Sequence, residues 1–99
     1  MSDISGKGWT GRVTCDAMPV EVVGTIGDCP FYFRSRTWKW SISICEPGQD
    51  PVGYPYFDWD EWGENLYDAS HMPHTDAIAI INRCVAKYLE GKKLSLIHI

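Results

Sequence analysis

Residues 30–44, PFYFRSRTWKWSISI, carry three cations among five aromatic rings in a chain whose formal net charge is −4. Arginine offers a planar fork to phosphate or carboxylate oxygens, lysine a compact point charge, and an aromatic ring a surface on which a flat base can stack. Tyr32, Arg34, Arg36 and Lys39 are therefore the residues expected to hold a phosphorylated, nucleotide-like ligand. Trp59 and Trp62 are the downstream rings expected to close over its base. The plainer reading of the same residues is a solvated sheet face whose cations pair with acidic groups of their own chain.

Other constellations carry less. His71 and His74 form a His-x-x-His pair that Glu64, Asp68 or Cys84 could complete as a zinc site, but a helical zinc pair needs four-residue separation and a neighbouring general base. Carboxylates between Asp58 and Glu64 are close enough in sequence for acid–base work on a glycoside, yet nothing in an exposed acidic run splits their pKa values. No phosphate-binding glycine loop is present, and no cysteine lies in a protease-like context with histidine. No metal, cofactor or catalytic residue is expected, although a small metal-dependent hydrolase stands as a distant alternative.

These residues must be positioned by a sheet. RVTCDA, PVEVVGTI, CPFYFRSR and TWKWSISIC read as successive strands, with Gly27-Asp28 as a two-residue hairpin turn. That turn sets Ile26 opposite Cys29, Val22 opposite Phe33 and Glu21 opposite Arg34. A second tight turn at Arg36-Thr37 would set Arg34 against Lys39 and Phe33 against Trp40. Both registers sort Val20, Val22, Ile26, Cys29, Phe31, Phe33, Trp38, Trp40, Ile42 and Ile44 onto one apolar face. Glu21, Val23, Thr25, Tyr32, Arg34, Lys39, Ser41 and Ser43 fall on the other.

Residues 73–90 read as a helix, with Pro73 at its first position, Asp76 in its first turn and Gly91 as its stop. His74, Ile78, Ile81, Val85, Tyr88 and Leu89 make its apolar stripe. The expected fold is α+β: an antiparallel β-meander of three to four strands with a C-terminal helix packed on one face. Residues 1–11 read as a loose lead-in, and residues 58–67 as an acidic loop or short helix.

Between Lys39 and Arg83 the chain has no Lys or Arg, while Asp58, Asp60, Glu61, Glu64 and Asp68 lie there among tyrosines and tryptophans. This segment is the alternative functional surface, an imitation of nucleic acid that would occupy a basic groove on a host effector protein. The acidic balance excludes a general nucleic-acid binder. The four widely spaced cysteines read as free thiols of a cytoplasmic protein, and the apolar runs are too short for a membrane span.

PVEVVGTIGDCPFYFRSRTWKWSISI and MPHTDAIAIINRC, within residues 19–84, resemble small uncharacterised proteins of phages and mobile elements, in which a PFYFR strand precedes a Trp-containing strand and a terminal helix. The resemblance implies a metagenomic or viral origin, and small viral proteins often act against host defence. The functional expectation is a non-enzymatic phage counter-defence protein that sequesters a phosphorylated nucleotide signal, with a homo-oligomer suiting so small a chain. An anti-CRISPR-like inhibitor of a host protein is the alternative. LSLIHI, Leu94–Ile99, resembles a translated sequencing adapter, so a single domain is expected over residues 1–93 and a non-native tail over 94–99.

Overall fold

The computed structural model describes residues 2–15, 20–36, 39–53, 57–61 and 74–97. Six strands, β1 (Ser2–Gly6), β2 (Trp9–Cys15), β3 (Val20–Ile26), β4 (Cys29–Arg36), β5 (Lys39–Ile44) and β6 (Asp58–Glu61), form one antiparallel sheet in sequence order. A 3₁₀ turn at Pro51–Gly53 precedes β6, and α1 runs from His74 to Ile97. No helix among the described residues is long and apolar enough to cross a membrane.

Alternation along the strands builds one apolar layer. Trp9, Val13, Val20, Val22, Ile26, Phe31, Phe33, Trp40 and Ile42 are buried against Ala77, Ile81, Cys84 and Val85 of α1. Trp9 meets Phe31 edge-on at 5.7 Å, and Phe33 stacks on Trp40 at 6.2 Å. Burying each large side chain contributes roughly 1.5–3 kcal/mol, so this face supplies most of the drive to fold.

Close approach at two places needs glycine. Gly11 and Gly24 are paired across β2 and β3, and a side chain on Gly24 would run into the backbone of Thr10 and Gly11 and then the Phe31 ring. At the other end of the layer, Asn82 Oδ1 accepts hydrogen bonds from Trp9 Nε1 at 2.8 Å and from the Lys7 backbone N–H at 3.2 Å. These bonds fasten α1 to the first hairpin. A side chain on Gly6 would run into both Asn82 and the Trp9 indole.

The class is the expected α+β, but the sheet has six strands rather than three or four. Residues 2–6 are not a lead-in: they pair with β2 through a Lys7-Gly8 turn, in which Gly8 takes a φ of 87° open to glycine. Asp58–Glu61 is an edge strand rather than part of a loop or short helix. The Gly27-Asp28 hairpin has the expected register.

The next hairpin is displaced by two residues, with Arg34 opposite Ser41, Phe33 opposite Ile42 and Arg36 opposite Lys39. An even displacement leaves every side chain on its expected face but separates Arg34 from Lys39. Trp38 lies outside the described residues. α1 passes Gly91 without a left-handed stop and continues to Ile97, so residues 94–97 are helical. Lys92, one turn beyond Tyr88, places its Nζ 5.8 Å from the Tyr88 ring centre. The buried stripe of the helix is centred on Ala77, Ile81, Cys84 and Val85, which leaves Leu89 exposed.

Gly24→Ala is expected to lower stability by about 2 kcal/mol or more in urea unfolding, because the added carbon meets Thr10 O, Gly11 Cα and Phe31. Gly53→Ala enters open space and should stay within about 0.5 kcal/mol of the parent. Equal losses for the two variants would refute the close-approach role of Gly24.

Candidate functional site

The sheet face opposite the helix carries the polar residues of β3 to β6 in cross-strand rows. Glu21 lies opposite Arg34, Arg34 opposite Ser41, and Ser41 opposite Trp59, so four strands contribute one side chain each to a single line. Neighbouring strands are about 4.8 Å apart, which puts Arg34 and Trp59 on backbones separated by roughly 10 Å. Lys39 is in the adjacent row, and its Nζ stands 6.0 Å from the centre of the Trp59 ring. Trp59 is 58% exposed, a large open ring on a strand.

Glu21 tempers the positive charge. Tyr32 OH donates to Glu21 Oε2 at 2.7 Å, and Arg34 Nε lies 3.8 Å from the same oxygen. That separation is an ion pair longer than a hydrogen bond, and Arg34 Nε has no hydrogen-bond partner among the described residues. The guanidinium thus leans on an acid of β3 that does not fully engage it. The same face closes at its far end, where the 3₁₀ turn packs on β4 and β5, with Pro51 and Ser43 both buried.

Tyr32, Arg34, Lys39 and Trp59 therefore share one face. Arg36 occupies a register position opposite Lys39 at the start of that face, and Trp62 lies outside the described residues. Trp59, whose segment reads in the sequence as a loop or short helix, is instead built into the edge strand of the sheet. The signal available in the sequence is the alternation of DWDE, which places Asp58 and Asp60 on one side of a strand and the Trp59 ring on the other.

Alternation also divides the acidic candidates. Asp58 and Asp60 lie opposite Ile42 and Trp40, on the helix side of β6. Asp58 Oδ2 pairs with Lys87 Nζ at 3.2 Å, and the Arg83 guanidinium lies 5.5 Å from the Trp40 ring centre, forming with both aspartates a small polar pocket of about 230 Å³. Glu61 takes a position on the other face, opposite Lys39, while Glu64, Asp68 and His71 are outside the described residues. Among the described residues no three His, Cys, Asp or Glu side chains are grouped as metal ligands.

Two strongly shifted groups are on the helix side, away from this face. Burial and the nearby Asp58 push the Cys84 thiol up to about 11. Hydrogen bonding to Cys29, then desolvation and nearby Glu46 and Cys45, push the Tyr88 hydroxyl up to about 12. Neither has the geometry of a catalytic pair; both are consequences of packing α1 on the sheet.

Comparison with protein-family models, curated proteins and solved structures finds no match to this chain.

Both raised groups hold their protons more tightly in the folded chain than in the unfolded one, so their stabilising effect is complete below the unfolded values of 9.0 and 10.0. It is lost as pH rises through about 11 for Cys84 and about 12 for Tyr88. The Tm is expected to fall progressively above pH 9, with Tyr88→Phe removing the upper part of the decline. A Tm profile that Tyr88→Phe leaves unchanged would contradict the assignment.

Proposed function

We propose that the protein is a non-enzymatic binding protein that sequesters a phosphorylated nucleotide signal on the open face of β4, β5 and β6, as a phage counter-defence protein would. The observation that carries this reading is the row Arg34–Ser41–Trp59 with Lys39 beside the ring. A base stacks on the exposed Trp59 indole, where such contacts are worth about 1–3 kcal/mol. Its phosphate lies toward Ser41, within reach of the Arg34 fork and the Lys39 charge. Arg36 stands at the adjoining register position opposite Lys39, and Tyr32 donates to the same Glu21 oxygen that Arg34 Nε approaches, so that acid is shared between them.

A flat, open face binds a small ligand weakly by itself, because one wall leaves much of the ligand in water. A second copy of the chain laid over the first would supply the other wall, and a homo-oligomer is part of the proposal. Asp58 is directed away from the cations and paired with Lys87 on the other side of the sheet, while Glu61 holds the register position opposite Lys39.

A thermal-shift screen against cyclic dinucleotides, cyclic ADP-ribose isomers and common nucleotides tests the reading. A ligand at 100 times its Kd stabilises the native state by about 2.7 kcal/mol, a rise of several degrees in a domain of this size. The rise should vanish in Lys39→Glu and Trp59→Ala, and should grow in Glu21→Ala, which releases Arg34. No response to any nucleotide overturns the proposal and moves attention to a protein partner, whose association should then weaken with salt.

A further inference from the structure

The open face is not flat throughout. At the corner made by β1, β2 and β3, away from Trp59, it is dished into a solvent-facing cavity of about 480 Å³. Register places two rows of side chains there: Asp3, Arg12 and Val23 in one, Ser5, Thr10 and Thr25 in the other. The row between them, Ile4, Gly11 and Gly24, belongs to the helix side, so only backbone lies along the middle of the cavity. A volume of this size is within the roughly 300–1,000 Å³ typical of small-molecule sites. The proposed nucleotide row of Arg34, Ser41 and Trp59 is on other strands and does not use it.

The two rows differ in chemistry. In the first, Arg12 Nε donates to Asp3 Oδ1 at 2.9 Å, and the two charges cancel. Both side chains are well exposed, and an ion pair in such a setting is weak enough to share its remaining donors and acceptors with a guest. Those groups are of two kinds, since a carboxylate only accepts and a guanidinium only donates. In the second row three hydroxyls stand side by side across three strands, each able to donate and to accept. Among the described residues, none of these three hydroxyls has a hydrogen-bond partner. Val23, 40% exposed, is the apolar patch beside them.

Such a lining selects by elimination. A phosphate or carboxylate would meet the Asp3 charge and an ammonium would meet Arg12, so an ionic guest loses to one what it gains from the other. An apolar guest would strip water from three hydroxyls and an ion pair without replacing their hydrogen bonds. A neutral guest with hydroxyls along its edges and C–H groups on its face satisfies every part of the lining. We propose that the β1–β3 corner is a second binding site, for a neutral saccharide, with Asp3, Arg12, Thr10 and Thr25 as its hydrogen-bonding residues and Val23 against the C–H face of the ring.

Three neighbouring strands span about 10 Å, room for one sugar ring with its substituents. Adjacent ring hydroxyls donate to the second Asp3 oxygen and accept from the terminal Arg12 nitrogens, which leaves the Nε–Oδ1 bond in place. Hydroxyls on the opposite edge reach Thr10 and Thr25, which face each other across β2 and β3. Because neither guest nor site carries net charge, binding is insensitive to salt, unlike any that depends on the cations of the nucleotide row. An open cavity leaves part of the ring in water, so the affinity is low.

The test titrates the full, isotope-labelled chain with methyl α-D-glucopyranoside, methyl β-D-galactopyranoside and methyl α-D-mannopyranoside, following backbone amides by NMR. At least one sugar is expected to give saturable shifts in the millimolar range, centred on residues 3–5, 10–12 and 23–25 and unchanged between low and high salt. Thr10→Val and Asp3→Asn, both at exposed positions, should each raise the Kd at least several-fold while leaving amides elsewhere in place. Sodium sulfate should give no saturable shift at this corner. Thr10 lies outside the nucleotide row, so the nucleotide screen judges that reading and the sugar titration this one. No saturable shift with any of the three sugars, shifts centred elsewhere, saturation by sulfate in their place, or a Kd that either variant leaves unchanged would each overturn the proposal.

Discussion

Everything else in the molecule depends on how closely the Phe31 ring can settle against the sheet. It lies over Gly24, whose backbone closes on Thr10 and Gly11 of the paired strand, and meets the Trp9 ring edge-on. With that ring seated, the apolar face is level enough for Ala77, Ile81, Cys84 and Val85 to lie along it. These four helix residues are buried against the large apolar side chains of the sheet. Asn82, bonded to Trp9 Nε1 and Lys7 N–H, fixes where along the sheet the helix rests.

One consequence of a helix on one side only is that the other face is free to be polar. The cross-strand row of Glu21, Arg34, Ser41 and Trp59 exists because antiparallel pairing brings every second residue of four strands into line. The row combines a ring, a hydroxyl and a guanidinium that its own acid holds at 3.8 Å without a hydrogen bond. Lys39 adds charge beside the ring, where its contact with Trp59 is worth about 0.5–1 kcal/mol in so exposed a place. Asp58 and Asp60 of β6 belong to the opposite side, where Lys87 meets Asp58, while Glu61 keeps the register position opposite Lys39, so alternation splits the acids of one short segment between two faces.

Much of this sorting was legible in the residues. Gly27-Asp28 specifies a two-residue turn, and with the turn placed, the pairing of β3 with β4 follows by counting. The β4–β5 hairpin was harder, because Arg36 and Thr37 have no strong preference for such a turn. Moving the turn by one residue changes each partner by two, so the faces follow from the sequence even where the register does not. The first hairpin is not legible in the sequence, because Gly6, Gly8 and Gly11 resemble a loose lead-in. In the fold they are places where Asn82, the turn and Phe31 need room.

Alternation and turn chemistry, both local properties, were enough for the sequence alone to determine an α+β chain with one apolar sheet face, a helix to cover it, and Tyr32, Arg34 and Lys39 together on the other side. Tertiary structure alone decided that Trp59 joins them, since an edge strand of four residues forms only when β5 is there to pair with it. It also decided that Asp58 serves the helix and that Cys29 meets Tyr88 and Lys92, residues 59 and 63 positions away along the chain. Such meetings depend on the register of helix against sheet, which is set by the summed fit of the whole apolar layer and by no short stretch of residues within it.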